Sequence, residues 1–191
     1  MTGLYNLFLL AATMLAAPQS LPSAGTEQLP QTFFVRGLDI RVGEVTLRNN
    51  GRYPKRGATI HIIDGRRLVL DETYRIPGEL SGVWVTDMDR DDDPEITLWV
   101  RAYGREALGE FSLFELQADY LTQHPFPRLT EAQAAGYAGD DELSVSSSQL
   151  VRRFKTYRTG DARCCPTGPM AELIYGYDGT RVFLERYRRI D

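Results

Sequence analysis

Asp87, Asp89, Asp91 and Asp93 alternate along the run DMDRDDDPE, and Glu95 closes the set. A calcium ion takes about six to eight oxygens and draws them from closely spaced carboxylates around a tight turn. The helical calcium loop is excluded, because it needs glycine at its sixth position and glutamate at its twelfth, where this chain has Asp92 and Leu98. The comparison that survives is with the short D-x-D-x-D loops of β proteins. A purely structural reading competes with it: aspartates cap a turn between two strands through Asx hydrogen bonds and tolerate positive φ. Asp87, Asp89, Asp91, Asp93 and Glu95 are therefore the candidate metal ligands, with Ca2+ the one cofactor they suggest and a plain turn the alternative.

The remaining reactive residue types assemble no catalytic motif. Ser144, Ser146, Ser147 and Ser148 lie outside any G-x-S-x-G elbow, and neither His61 nor His124 has a nucleophile motif around it. His61 sits in an apolar run and reads as a packed residue, and His124, between Gln123 and Pro125, reads as part of a loop. Two carboxylates flanking a sugar would make a glycosidase, but acids crowded into one turn are not a separated acid and base. Gly-rich phosphate loops are absent as well, and no enzymatic activity is expected.

Cys164 and Cys165 are the only cysteines and are adjacent. An ordinary disulfide needs Cα atoms about 4.4–6.8 Å apart, whereas consecutive residues of an extended chain lie about 3.8 Å apart with side chains on opposite faces. Two free thiols in a loop are the expectation, and a strained vicinal disulfide in an oxidising compartment is the alternative. A zinc site would need ligands beyond the two cysteines, and the only histidines are His61 and His124.

The elements that must position these residues read as antiparallel β structure. Thr32 to Val35, Leu38 to Leu47, Ala58 to Ile63, Arg67 to Asp71, Gly82 to Thr86, Ile96 to Ala102, Glu110 to Gln117, Leu173 to Tyr177 and Arg181 to Tyr187 alternate or run apolar, and Leu143 to Tyr157 is long enough for two strands. Asp64-Gly65 and Asp178-Gly179 are hairpin signals, because type I′ turns need positive φ at both central residues. One helical turn is predicted at Thr130 to Ala135, with a threonine cap, an early glutamate and Gly136 as its stop. Alternation puts Trp84 and Trp99 on one face, where packing beneath another sheet or a helix is expected. The fold class is mostly β, an antiparallel β-sandwich or barrel-like single domain with one short helix.

With 191 residues, 42% of them hydrophobic, the chain can bury one core. A net charge of −4 argues against nucleic acid as a partner and for steering of basic ones. Leu4 to Ala17 is an apolar run too short to span a bilayer and is followed by a polar, Pro-containing segment, the pattern of an export signal. The division expected is a signal peptide at 1–24, a Pro/Ser/Gln-rich linker at 25–31 and a β domain at 32–191, with no membrane attachment once the signal is cleaved.

Two blocks carry a resemblance. SGVWVTDMDRDDDPEITLWV looks like the SG-x-x-V-x-D-x-D-G-D-G-x-P-E-L core of the periplasmic inhibitors of invertebrate-type lysozyme, the PliI family. Gly136 to Tyr175, GYAGDDELSVSSSQLVRRFKTYRTGDARCCPTGPMAELIY, is similar to that family's G-Y-x-G-x-D-E segment, its L-V-R-R-F strand and its G-D-x-x-x-x-P-T-G loop, in the same order. The blocks cover roughly residues 80–175, about half the chain, and the adjacent cysteines fall in a variable part of the last loop. The resemblance implies a sandwich-like fold, a periplasmic location, no catalysis, and inhibition by a loop inserted into the lysozyme cleft. A homodimer is suggested by the resemblance and by strand edges left open.

In that family the inhibitory loop has the form S-G-S-x-Y-G, which suits a narrow cleft because glycine lets the backbone enter and serine and tyrosine offer hydrogen bonds. The matching segment here is Gly104, Arg105, Glu106, Ala107, Leu108 and Gly109, with Tyr103 just before it. The flanking glycines agree, but Arg105 replaces a serine and Leu108 stands at the tyrosine position. Arg105 can form a charge-assisted pair with a catalytic carboxylate, Tyr103 can supply part of the missing hydroxyl chemistry, and Glu106 opposes both. Tyr103 to Gly109 is the expected partner-binding loop. The alternative is a periplasmic β module that kept the fold and lost the target.

Overall fold

The computed structural model describes residues 30–49, 51–103, 108–146, 149–162 and 164–191. The expected signal peptide and residues 25–29 of the linker lie outside the described residues, as do Gly104, Arg105, Glu106 and Ala107 of the expected loop. Among the described residues the protein is mostly β, with three antiparallel sheets of four strands and no closed barrel. The first sheet contains β1 (Gln31–Val35), β2 (Leu38–Arg48), β3 (Lys55–Asp64) and β4 (Arg67–Ile76) in chain order. β5 (Gly78–Thr86), β6 (Glu95–Ala102), β7 (Gly109–Gln117) and β8 (Tyr120–Pro125) make the second. The third contains β9 (Glu142–Ser146), β10 (Gln149–Lys155), β11 (Met170–Tyr177) and β12 (Val182–Ile190). Every pairing within a sheet joins consecutive strands, so hairpin closure alone builds each layer.

The second sheet is the middle layer. Alternation along β6 sends Ile96, Leu98 and Val100 to one face, where they cluster with Phe114 and with Ile40, Ile60 and Ile62 of the first sheet. Glu95, Thr97 and Trp99 point the other way, beside Leu113 and Phe111 of β7. On that face Leu113 packs with Leu150, Phe154, Leu173 and Tyr175 of the third sheet. Each residue from Glu95 to Val100 is buried, as a strand covered on both faces requires. The tryptophans follow the packing expectation: Trp84 and Trp99 stack with centroids 6.4 Å apart, and Trp99 clusters with Phe111 and Leu143 between the layers.

Local signals account for the turns only in part. Arg36 and Gly37 in the β1–β2 connection both have positive φ, 51° and 85°, which is the type I′ requirement. The Asp64-Gly65 hairpin forms, but its two connecting residues are Gly65 and Arg66, and only Gly65 has positive φ. Asp178 opens a four-residue connection between β11 and β12 and accepts hydrogen bonds from the amides of Thr180 and Arg181, an Asx turn. The helical turn α1 (Glu131–Ala134) is capped by Thr130 through a capping box with Gln133. Strand β8 was not expected, and it places His124 in a sheet rather than a loop.

The adjacent cysteines are joined: Cys164 and Cys165 form a vicinal disulfide. The expectation of free thiols assumed an extended chain. A turn here brings the Cys165 amide onto the Ala162 carbonyl at 2.9 Å, so that assumption fails.

Candidate functional site

Strand β6 separates the two regions singled out by their chemistry. The acidic run enters it at Glu95, the expected partner-binding loop leaves it after Ala102, and eight residues of strand put about 26 Å between them.

At the acidic end, carboxylate oxygens of Asp87, Asp89 and Glu95 lie within 4.8 Å of one another, and so do those of Asp89, Asp91 and Glu115. Four of the five expected ligands are thus brought together, whereas Asp93 belongs to neither group and caps the turn through the amide it offers to Asp91 (2.8 Å). Glu115, on β7, was missed. It stands directly opposite Glu95 across the β6–β7 ladder. The one signal for it was a charged residue inside an apolar strand.

Both glutamates are buried, Glu95 completely and Glu115 to 2% exposure. Glu95 accepts hydrogen bonds from Thr86 Oγ1 (2.7 Å) and the Met88 amide (2.9 Å). Burial nevertheless pushes its pKa up to about 7, and the charges of Asp89 and Asp87 add to the rise. Asp89 is also raised, by burial and then by Asp91. Glu115 accepts from the Tyr177 hydroxyl at 2.5 Å, and His124 Nε2 lies 3.0 Å from that hydroxyl. Arg36, from the β1–β2 turn, donates to both Asp87 and Asp92 and supplies a cation to the outer side of the turn. His61 has no part in this: it faces outward, half-exposed, with Nδ1 3.2 Å from Asp71, so the expectation that it packs in the core is corrected.

At the opposite end, the β6–β7 connection is closed at its base by the Ala102 amide donating to the Leu108 carbonyl (3.0 Å). Each foot is held by a different outer layer. On the first-sheet side, the Tyr103 hydroxyl accepts from Arg56 Nε (2.6 Å), and Arg56 is also bonded to Glu44. The second oxygen of Glu44 takes the Leu80 amide at 2.7 Å.

On the third-sheet side, the Gly109 amide donates to Asp141 Oδ2 (3.0 Å) and to the Tyr137 hydroxyl (3.1 Å). Tyr137 donates to Asp141 at 2.5 Å, and Arg152 completes the network through Asp141 Oδ1 (2.6 Å) and the Tyr137 oxygen (2.8 Å). The Arg152 and Asp141 side chains are 7% and 1% exposed. The guanidinium also lies over the rings of Phe111 and Tyr137, 4.7 and 5.0 Å from their centroids. Burial, reinforced by Asp141, holds the Tyr137 hydroxyl protonated well above its ordinary range, so it remains a donor. None of these three residues was singled out as functional from the sequence, although all three lie inside the resemblance blocks.

The acidic end can bind protons or a cation, and the clamped end can present a loop. No protein-family model matches the chain, and no curated protein matches it.

Proposed function

We propose that the protein is an exported, non-enzymatic inhibitor of the PliI type, which binds an invertebrate-type lysozyme in the periplasm and blocks its cleft with the connection from Tyr103 to Gly109. The observation that carries this reading is the convergence of Tyr137 and Asp141, both held by Arg152, on the amide of Gly109. Those residues come from the GYAGDDE and LVRRF segments, two of the blocks on which the resemblance rests, and they converge at the foot of the loop that the resemblance assigns to the target. A loop whose Gly109 foot is held through a buried ion pair leaves less ordering for binding to supply. The net negative charge adds favourable steering toward a basic hydrolase. The test is a cell-lysis assay with invertebrate-type, chicken-type and goose-type lysozymes. Inhibition of the first class supports the reading, and inhibition of none sinks it.

A second reading, a calcium-binding β module, rests on a separate observation at the far end of β6. Glu95 and Glu115 are buried opposite each other with Asp89 against both groups, and like charges so placed need a proton or a cation. A ligand that binds only the native state must stabilise it. Calcium should then raise the melting temperature and a chelator lower it. No shift leaves the acidic run as a turn tied by Arg36.

A further inference from the structure

We propose that the partner-binding surface extends beyond the β6–β7 connection onto the β2–β3 loop, where Tyr53 stacks on Tyr103 and Arg52, over the Tyr53 ring, offers its guanidinium to a carboxylate of the lysozyme. This rests on the inhibitor reading above and adds to it two residues outside the resemblance blocks.

The rings of Tyr53 and Tyr103 are nearly parallel, 7° apart, with centroids separated by 5.0 Å. Tyr53 is 46% exposed, a large aromatic surface at the same end of the molecule as the loop. The Arg52 guanidinium lies over the Tyr53 ring, 5.6 Å from its centroid. Tyr103 is held from below by Arg56, so the stack stands on a fixed base rather than on a free side chain. The two arginines differ in what they have left to give. Arg56 is bonded to Glu44 and lies 3.9 Å from Glu79, which spends its charge inside the protein. Arg52 is exposed and forms no ion pair among the described residues.

A guanidinium held over a tyrosine ring is attracted to the ring face while its N–H groups remain available, and these can pair with a carboxylate. Tyrosine and arginine are also enriched among the residues that carry most binding energy in protein interfaces, and tyrosine buries a large area at little rotamer cost. The partner is fixed by charge: glycoside hydrolases place carboxylates in and around the cleft that a loop from Tyr103 to Gly109 would enter. An anionic edge is what an unpaired arginine beside that loop complements.

The experiment measures inhibition constants against an invertebrate-type lysozyme for the wild type, Arg52→Glu, Arg52→Lys, Tyr53→Ala and the loop variant Leu108→Asp, with melting temperatures alongside. Arg52→Glu and Tyr53→Ala should each raise the inhibition constant roughly tenfold or more with the melting temperature nearly unchanged. Arg52→Lys should recover only part of the loss, and salt should weaken the wild type more than Arg52→Glu. If Arg52→Glu and Tyr53→Ala inhibit like the wild type while Leu108→Asp does not, the stack is only a cover for Tyr103 and the proposal is overturned with the inhibitor reading intact. A wild type that inhibits no lysozyme removes both.

Discussion

The amide of Gly109 donates a hydrogen bond to Oδ2 of Asp141 at 3.0 Å, joining the middle sheet to the start of the third. The approach is so close that a Cβ on Gly109 would meet that oxygen at 2.5 Å and the Asp141 Cγ at 2.9 Å. Glycine is needed here for space, not for an unusual φ.

Gly109→Ala should therefore destabilise by about 1–3 kcal/mol, the usual cost of overpacking. Asp141→Ala should cost more, about 3–5 kcal/mol, because it leaves the buried Arg152 guanidinium without its carboxylate. Urea denaturation gives both figures. A loss under about 1 kcal/mol for Asp141→Ala would mean that water or a shifted partner satisfies Arg152.

Protonation of Glu95 makes stability depend on pH near neutrality. Its folded pKa of about 7 stands above its ordinary value of 4.5, so the folded state keeps a proton that the unfolded state has released. The contribution is fully present below pH 4.5 and is lost as pH rises through about 7, at most about 3 kcal/mol in all. In chelator, the wild type should lose stability relative to Glu95→Gln between pH 5 and pH 8. Parallel urea midpoints across that range would show that Glu95 is not the titrating group.

If calcium occupies the acidic end, Glu115→Gln should weaken the calcium-induced rise in melting temperature as much as Asp89→Asn does, even though Glu115 lies outside the acidic run. Asp93→Asn should have little effect, because Asp93 is in neither carboxylate group. A large effect from Asp93 and none from Glu115 would place the cation on the outer turn instead.

Reduction of the Cys164–Cys165 disulfide should leave the melting temperature almost unchanged. A cross-link between neighbours closes no loop and so removes no appreciable entropy from the unfolded chain. The same segment is held by Asp161, which accepts from the amides of Arg158 and Thr167 and from the Thr167 hydroxyl. Those bonds keep the Asp161 carboxyl below its ordinary pKa. Asp161→Ala should lower the melting temperature more than reduction does. The opposite order would assign the folding of this loop to the disulfide.

Local rules were enough for most elements. Period-two alternation located the strands on both sides of most hairpins, and the Thr130 cap located the helix, because both signals are read within a few residues. Strand β8 was missed because Tyr120-Leu-Thr-Gln-His-Pro carries a polar, proline-ended pattern. It pairs only because β7 lies beside it, from Ser112 to Gln117.

What the sequence by itself determined is the antiparallel β class, the hairpin order and the grouping of acids in one turn, since each depends on neighbours along the chain. Only the tertiary structure decided that the second sheet is the middle layer, because burial of a strand on both faces depends on what the other sheets bring to it. The same holds for the pairing of Glu115 with Glu95 and of Asp141 with Gly109. Those contacts span 20 and 32 positions, and they exist because adjacent strands and stacked layers close distances that no local pattern records.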